Sequence, residues 1–543
     1  MKSRVFAFLA AALALGLAGP VSLSAQAVTT ATLGGQVVDQ NGRPVASAQV
    51  QIVNEATGLQ RGTLTRPDGQ FLFPGLRPGG PYTVTASSVG YGEQVESGIQ
   101  LGLGQTERIT IRLTEEAVEI EGLEVAVAGR AARNTGVQTV VTQEQVERAP
   151  TINREIVDIA RLTPSAFVAN EDDDGAAISI AGQNNEYNAL YIDGVVNNDV
   201  FGLSAQGTNG GQTGAPPISF DAIEQLQIAV SPYDVTQGGF TGGAINAITR
   251  SGTNQFEGSF YYQLRNESLA GESVWLQSPS PLPEFSAERY GFRFGGPIVE
   301  DKLFFFLNGE IFRSETPAPF DLQSYRGERG IDTFEQIRSV VQNELGYDAG
   351  DFGDKISSLD DDKVFAKIDW SITANHRLSL RHASSQSDNV DAFASRGFNI
   401  NYSNTSEVFP NETNSSALEL NSSFGDRYSN QFLAGLTFVR DDRGFAGDPF
   451  PYVVIEDGDA DIQLGSEQFS TGNILNQDIL SITNNFKIFA GDHTITIGTH
   501  NEFYDIGNLF LRQNFGSYEY GSVEEFLQSV RAVNDPTIEP AFP

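Results

Sequence analysis

The chain has 543 residues, room for several domains, with 69 acidic against 34 basic side chains and a formal net charge of −35. That balance excludes nucleic acid as a partner, because binding phosphate needs a basic footprint. Cysteine is absent, which excludes a thiol nucleophile and a lipid-modified cysteine and suits an oxidising envelope compartment.

Lys2 and Arg4 precede an apolar run from Val5 to Leu17, Gly19-Pro20 breaks it, and Ala25-Gln26-Ala27 has the small-x-small form of a cleavage site. The run is too short to cross a bilayer as a helix. Residues 1–27 therefore read as a secretory signal peptide, with the mature chain beginning at Val28. No later stretch is long and apolar enough for a membrane helix. An exported chain of this kind is soluble in the envelope or a β-barrel.

Residues 28–114 read as short strands parted by turns: Leu33–Asp39, Ala48–Val53, Tyr82–Ala86 and Ile109–Leu113. Thr63–Thr65 and Phe71–Phe73 are predicted to form a hairpin around Arg66-Pro67-Asp68-Gly69. Val37, Val50, Ile52, Phe71, Val84 and Ile111 can share one core, which predicts an independently folding β-sandwich. Gly35-x-Val37-x-Asp39, Gly42-x-Pro44-x-x-x-Ala48-x-Val50, Asp68-Gly69-x-Phe71, Leu76-x-Pro78-Gly79-x-x-Tyr82 and Gly90-Tyr91 resemble the carboxypeptidase regulatory-like domain, of the carbohydrate-binding-like sandwich group. The resemblance implies a structural module first and sugar binding second. Tyr82 and Tyr91 are the rings that would either stack on a sugar or fill the core. No zinc-ligand spacing occurs here, and the four histidines, His376, His382, His493 and His500, all lie in the last part of the chain.

In 115–129 an acidic start gives way to Leu123, Glu124, Val125, Ala126, Val127 and Ala128, an alternating strip without an obvious partner strand. It reads as a last sandwich strand, a plain linker, or a strand offered to a foreign sheet edge. In 130–254, Thr142 begins a helix with a capping-box pattern, and Arg154–Leu162 is a second helix stopped by Pro164. Ile178–Gln183 and Asn188–Gly194 are strands. Glu171–Asp174 is expected to be a solvated acidic loop rather than a calcium site. Val195–Ala215, rich in Asn, Gly and Gln, is expected to be a loop. Ile223, Leu226, Ile228 and Val230 mark a strand, and Ala244–Thr249 a short apolar one after two glycine pairs.

The run Ser231-Pro232-Tyr233-Asp234-Val235, Gly238-Gly239-Phe240-Thr241-Gly242-Gly243, Asn246 and Thr249-Arg250-Ser251-Gly252 closely resembles the end of the plug domain in TonB-dependent outer-membrane receptors, of the Oar-like branch. Gly182-Gln183 and Asp193-Gly194 resemble two plug landmarks of that family, although Ala181 stands where the first landmark has arginine. The resemblance implies that residues 123–128 are a TonB box gripped by a periplasmic TonB-type energy transducer. It also implies that the 195–215 loop reaches toward the ligand.

From Gln255 the chain alternates. Strands are expected at Gln255–Arg265, Arg289–Pro297, Lys302–Arg313, Lys363–Ile372, His376–Ser385, Ser415–Phe424, Ser429–Arg440, Ser481–Phe489 and His493–Tyr504. Val364, Ala366, Ile368 and Trp370 share one face, with Lys367 and Asp369 on the other, as in a transmembrane barrel strand. Short connections (298–301, 373–375, 425–428, 490–492) alternate with long ones (266–288, 314–362, 386–414, 441–480). Barrels do this, with short periplasmic turns and long external loops. The acidic runs Asp348–Asp354, Leu359–Asp362 and Glu456–Asp461 are assigned to those loops without metal ligands. Nine strands is an odd number, a barrel that holds a plug needs about 22, and Asp535–Pro543 reads as loop, so 255–543 is expected to be a partial barrel.

The expected class is mainly β: an N-terminal β-sandwich, an α+β plug, and the first part of a large antiparallel transmembrane β-barrel. The resemblance implies a non-enzymatic receptor or transporter of a Gram-negative-type outer membrane, with its N-terminal domain in the periplasm. Its expected partners are the transducer, outer-membrane lipid and an extracellular ligand, whether carbohydrate, peptide or protein. No cofactor is expected. The alternative is a secreted or surface β-protein that binds carbohydrate through its sandwich.

Overall fold

A computed structural model describes residues 28–115, 136–149, 151, 153–172, 175–232, 234–273, 280–491, 493–535 and 537–540. The proposed signal peptide, the strip Leu123–Ala128 and Tyr233 lie outside the described residues.

The first domain comprises β1 (Ala31–Val38), β2 (Gln49–Asn54), β3 (Gln60–Leu64), β4 (Gln70–Leu76), β5 (Gly79–Ser88), β6 (Tyr91–Leu101) and β7 (Thr106–Arg112). They form two sheets, ordered β4-β1-β7 and β3-β2-β5-β6. Leu33, Val37, Val50, Ile52, Phe71, Phe73, Val84 and Ile111 meet between the sheets in one buried core. The turn expected at 66–69 is present, with Gly69 N–H donating to Arg66 O at 2.8 Å. Its flanking strands, however, are not a hairpin: β3 pairs with β2 and β4 with β1. Local chemistry specifies the turn, whereas pairing follows from which sheet can bury each apolar face. The crossing is tied by Thr65, whose Oγ1 donates to Val45 O at 2.6 Å and accepts from Ala48 N–H at 2.8 Å. Tyr82 is buried, its hydroxyl donating to Arg77 O, and Tyr91 packs against the same core. Tyr82 therefore offers no face to a sugar.

The second region holds β8 (Gly136–Val141), β9 (Ala166–Asp172), β10 (Gly175–Ile180), β11 (Ala189–Ile192), β12 (Val195–Val196), β13 (Ile223–Pro232) and β14 (Ala244–Thr249). The helix Gln143–Arg148 packs on the sheet β12-β11-β14-β13-β8 and the helix Ile156–Ala160 on the pair β9-β10, around one shared core. Every residue of β14 is buried. Of the run Glu171–Asp174, expected as a loop, Glu171 and Asp172 are strand instead, in β9, where Asp172 pairs with Gly175, and Asp173 and Asp174 lie outside the described residues.

The remainder runs β15 (Glu257–Asn266), the small pair β16 (Glu272–Ser273) and β17 (Ser280–Pro281), β18 (Ser286–Val299), β19 (Leu303–Ala318), β20 (Lys355–Thr373), β21 (His376–Asp391), β22 (Asn399–Asn401), β23 (Glu407–Phe424), β24 (Tyr428–Phe445), β25 (Tyr452–Asp457), β26 (Ala460–Leu464), β27 (Asn473–Ala490), β28 (His493–Phe510) and β29 (Ser517–Tyr520). β15, β18, β19, β20, β21, β23, β24, β27 and β28 form one nine-stranded antiparallel sheet in that order. Along β20, Lys363, Phe365, Lys367 and Asp369 point inward and are buried, while Val364 is 61% exposed and Ile368 and Trp370 point outward with it. Phe256, Phe294 and Phe305 cluster near the short-turn end. No helix among the described residues is long and apolar enough to cross a membrane.

The strands start where expected at the short-turn end and continue past their expected limits at the other. Leu359–Asp362 is therefore strand, not loop: Asp361 points inward and pairs with Lys363. The long connections are also not plain loops. β22, β26, β25 and β29 form a sheet, and with the helices Ile331–Leu345 and Val523–Ala532 they enclose a core of Phe334, Ile337, Val341, Ile455, Phe526 and others. Glu456–Asp461 is the tight hairpin between β25 and β26.

Candidate functional site: the plug and the wall that holds it

β14 organises the predicted motif. At one end, Asp193 and Gly194, both at positive φ, turn β11 into β12 as a two-residue hairpin loop. The Asp193 carboxylate accepts from Thr249 N–H at 2.9 Å and Thr249 Oγ1 at 2.6 Å. Two cations of the barrel wall close on the same carboxylate, Arg381 of β21 at 3.3 Å and Lys367 of β20 at 3.6 Å. Arg381 also donates to Ile192 O at 2.8 Å, and Lys367 to Thr249 Oγ1 at 2.9 Å. All three charged groups are buried. One carboxylate thus clamps the ends of two plug strands to two barrel strands. Arg250, next in the chain, pairs with Glu147 at 3.0 Å, which Arg293 of β18 approaches at 3.5 Å.

At the other end of β14 lie the glycines. Gly242 and Gly243 pass so close to β10 and Asn188 that a Cβ on Gly243 would fall 2.5 Å from Ile180. Gly243 N–H donates to Asn188 Oδ1 at 2.9 Å. Gly182 takes positive φ in the turn after β10, and Gln183 lies beside Gly242. Gly238 O accepts from the Tyr191 hydroxyl, and Gly239 takes positive φ. The motif residues therefore fall into two groups about 20 Å apart along β14 at most, one glycine group for close packing and one charged group for anchorage.

Two further contacts hold the plug. Glu310 of β19 accepts from Arg289 at 2.7 Å, from Ser219 of the plug at 3.2 Å and from Tyr261. Arg154, paired with Asp221 at 2.6 Å, covers the Tyr261 ring at 4.7 Å. The 195–215 segment is not a free loop: Thr213 Oγ1 meets Ser387 Oγ at 2.8 Å, and Gln212 donates to Asp441 at 3.0 Å. Phe306 and Phe365 of the wall join the plug core. Arg381, Arg289 and Glu310 were not singled out from sequence, and Lys367 was placed only on the polar face of its strand. Their signal was an inward charge on an otherwise alternating strand, and it needed the plug's position to be read. Among the described residues no group of three or more His, Cys, Asp or Glu is placed to hold a metal.

An antiparallel sheet with charges inside and apolar side chains outside, carrying a small α+β domain on its inner wall, is the arrangement of a plugged outer-membrane β-barrel. Comparison with known proteins agrees. Residues 130–245 match the TonB-dependent receptor plug domain, 248–324 an outer-membrane β-barrel domain, and 32–114 the carboxypeptidase regulatory-like domain. The chain is 29% identical over 310 residues to the TonB-dependent transporter Oar of Myxococcus xanthus, covering 53% of this chain and 27% of that protein. It is 26% identical over 216 residues to the probable TonB-dependent siderophore receptor PirA of Acinetobacter baumannii, covering 38% of this chain and 26% of that protein. The match thus spans about a quarter of the length of these relatives. The outer-membrane transporter YddB of Escherichia coli shares the fold, with TM-score 0.50 and 15% identity over 70% of this chain and 50% of that one. The plug and barrel stretches are thus similar to the corresponding domains of TonB-dependent outer-membrane receptors.

Proposed function

We propose that the protein binds a ligand at the cell surface and moves it across the outer membrane with energy coupled from the inner membrane. In this reading 28–114 is a periplasmic sandwich, 115–129 a linker with its TonB box at 123–128, 130–254 the plug, and 255–543 barrel. The observation that carries it is the seating of the plug: apart from the apolar contact of Phe306 and Phe365, it lies on the inner wall through ion pairs and hydrogen bonds that can be exchanged for water, and in sequence it follows on an alternating strip. A TonB-type transducer adding that strip to its own sheet would pull on the plug. Relatives named as a transporter and as a siderophore receptor support a transport role and leave the ligand class open. No catalytic step belongs to this reading.

Proline at Val125 or Val127 removes a backbone donor that a new ladder needs. The expected result is loss of binding to the transducer's periplasmic domain, measured by calorimetry on the full-length receptor, with uptake reduced and surface binding kept. Normal affinity in both variants would show that the strip is not the box.

A further inference from the structure

The N-terminal sandwich is docked on the plug and on the barrel rim together. Toward the plug, Arg77 pairs with Glu224 at 2.6 Å, and the backbone of Leu103 accepts from Gln227 and donates to Gln225. Toward the rim, Ala56 O accepts from Asn254 N–H at 2.8 Å, and Arg66 pairs with Asp426 of the β23–β24 turn at 3.2 Å. The fit is close, since a Cβ on Gly58 would fall 1.8 Å from Asp301 of the β18–β19 turn.

Two features make this contact separable. The sandwich core draws on residues 31–113 alone, and no buried apolar cluster among the described residues joins it to the plug or wall. The plug core, in contrast, runs into the wall through Phe306 and Phe365. The plug surface beneath the sandwich is also polar. Leu226 and Ile228 of β13 turn into the plug core, while Gln225 and Gln227 turn toward the sandwich and are buried there beside Glu224. Such side chains lose little when water replaces the sandwich, whereas apolar ones would lose much. Polar contact between complete domains is the kind that opens and closes.

We propose that the sandwich is a detachable periplasmic latch: docked, it ties plug to barrel and covers the plug's underside, and it must leave the rim before the plug can move. This rests on the transport reading above, and the test separates the two.

The absence of cysteine allows a single reporter. In cells making the full-length receptor, Gln227→Cys is treated with a small sulfonated maleimide that enters the periplasm through porins. Labelling is expected to be at least fivefold slower in transducer-deleted cells than in energised cells, and to become fast without transducer when Arg77→Gln and Arg66→Gln are added. Adding Ala56→Cys and Asn254→Cys, a pair whose backbones already hydrogen-bond, should suppress labelling at position 227 when oxidised and restore it on reduction, read on the peptide that carries position 227 so that label on positions 56 and 254 is not counted. Fast labelling that responds only to the arginine changes and the disulfide supports the latch and counts against the transducer. Labelling indifferent to both, whether fast or slow, overturns the latch. Hydrogen exchange at Leu103, whose N–H donates across the contact to Gln225, compared in the oxidised and reduced cysteine pair without the reporter, gives the same answer should Gln227→Cys fold poorly.

Discussion

The N-terminal sandwich and the nine-stranded sheet carry the same two-residue alternation and bury opposite faces. In the sandwich, Val50, Ile52, Phe73 and Val84 are inside and polar residues face water. In β20, Lys363, Lys367 and Asp369 are inside, and Val364, Ile368 and Trp370 face outward. Alternation states only that the two faces of a strand see different surroundings. What distinguishes the cases is the medium around them. A sheet in water hides apolar groups to gain transfer free energy, whereas a sheet in lipid gains nothing by hiding them and must give its charges an aqueous or paired interior. The inward charges then become available as the plug's anchors.

That contrast is open to mutation. Phe73→Ala, at a 1% exposed position, should destabilise the sandwich by about 3–5 kcal/mol. Chemical unfolding of the 28–114 fragment checks it, and that fragment is itself expected to unfold cooperatively. Val364→Arg is the counterpart. At a water-facing site such a change costs under about 0.5 kcal/mol, but on a lipid-facing strand it should cost about 2–4 kcal/mol, read as reduced assembled receptor in outer membranes. Equal assembly of wild type and variant would remove the lipid from the argument.

A smaller effect concerns the plug. Burial pushes the Glu155 carboxyl up to about 7, against the pull of Arg289 and Lys363 and with the push of Asp158 and Glu310. Its folded value lies above the unfolded one near 4.5, so the folded plug holds a proton that the unfolded chain releases. Plug stability should therefore fall as pH rises from about 4.5 to 7 and level off above, as protease resistance of the plug would report. Glu155→Gln should flatten this slope. An unchanged slope would assign it to another group.

Much of this was legible in the sequence, and the limits have physical causes. The inner ends of the barrel strands and the short–long parity of their connections were readable because lipid enforces the alternation there. Above Val364 it lapses: Asp360, Asp361 and Asp362 are charged on both faces because that part of β20 is no longer matched to lipid, so strand read as loop. The helix Ile331–Leu345 does carry the spacing Phe334, Ile337, Val341, but its partners are the distant β25, β26 and Val523–Ala532. The Asp193 clamp was half legible. The Asp-Gly turn is local chemistry, whereas Lys367 and Arg381 reach it from strands more than 170 residues away. The false hairpin at 63–73 failed for the same reason: pairing is settled by remote burial.

Trp370 offers the most direct measurement of the inverted sheet. It is one of two tryptophans in these 543 residues, and replacing Trp275 and any tryptophan outside them by Phe leaves it as the sole indole. In full-length receptor reconstituted into bilayers of brominated phosphatidylcholine, the account predicts strong quenching of Trp370 fluorescence and little effect of aqueous iodide. Quenching by iodide with no response to brominated lipid would place this face of β20 in water and contradict the membrane barrel.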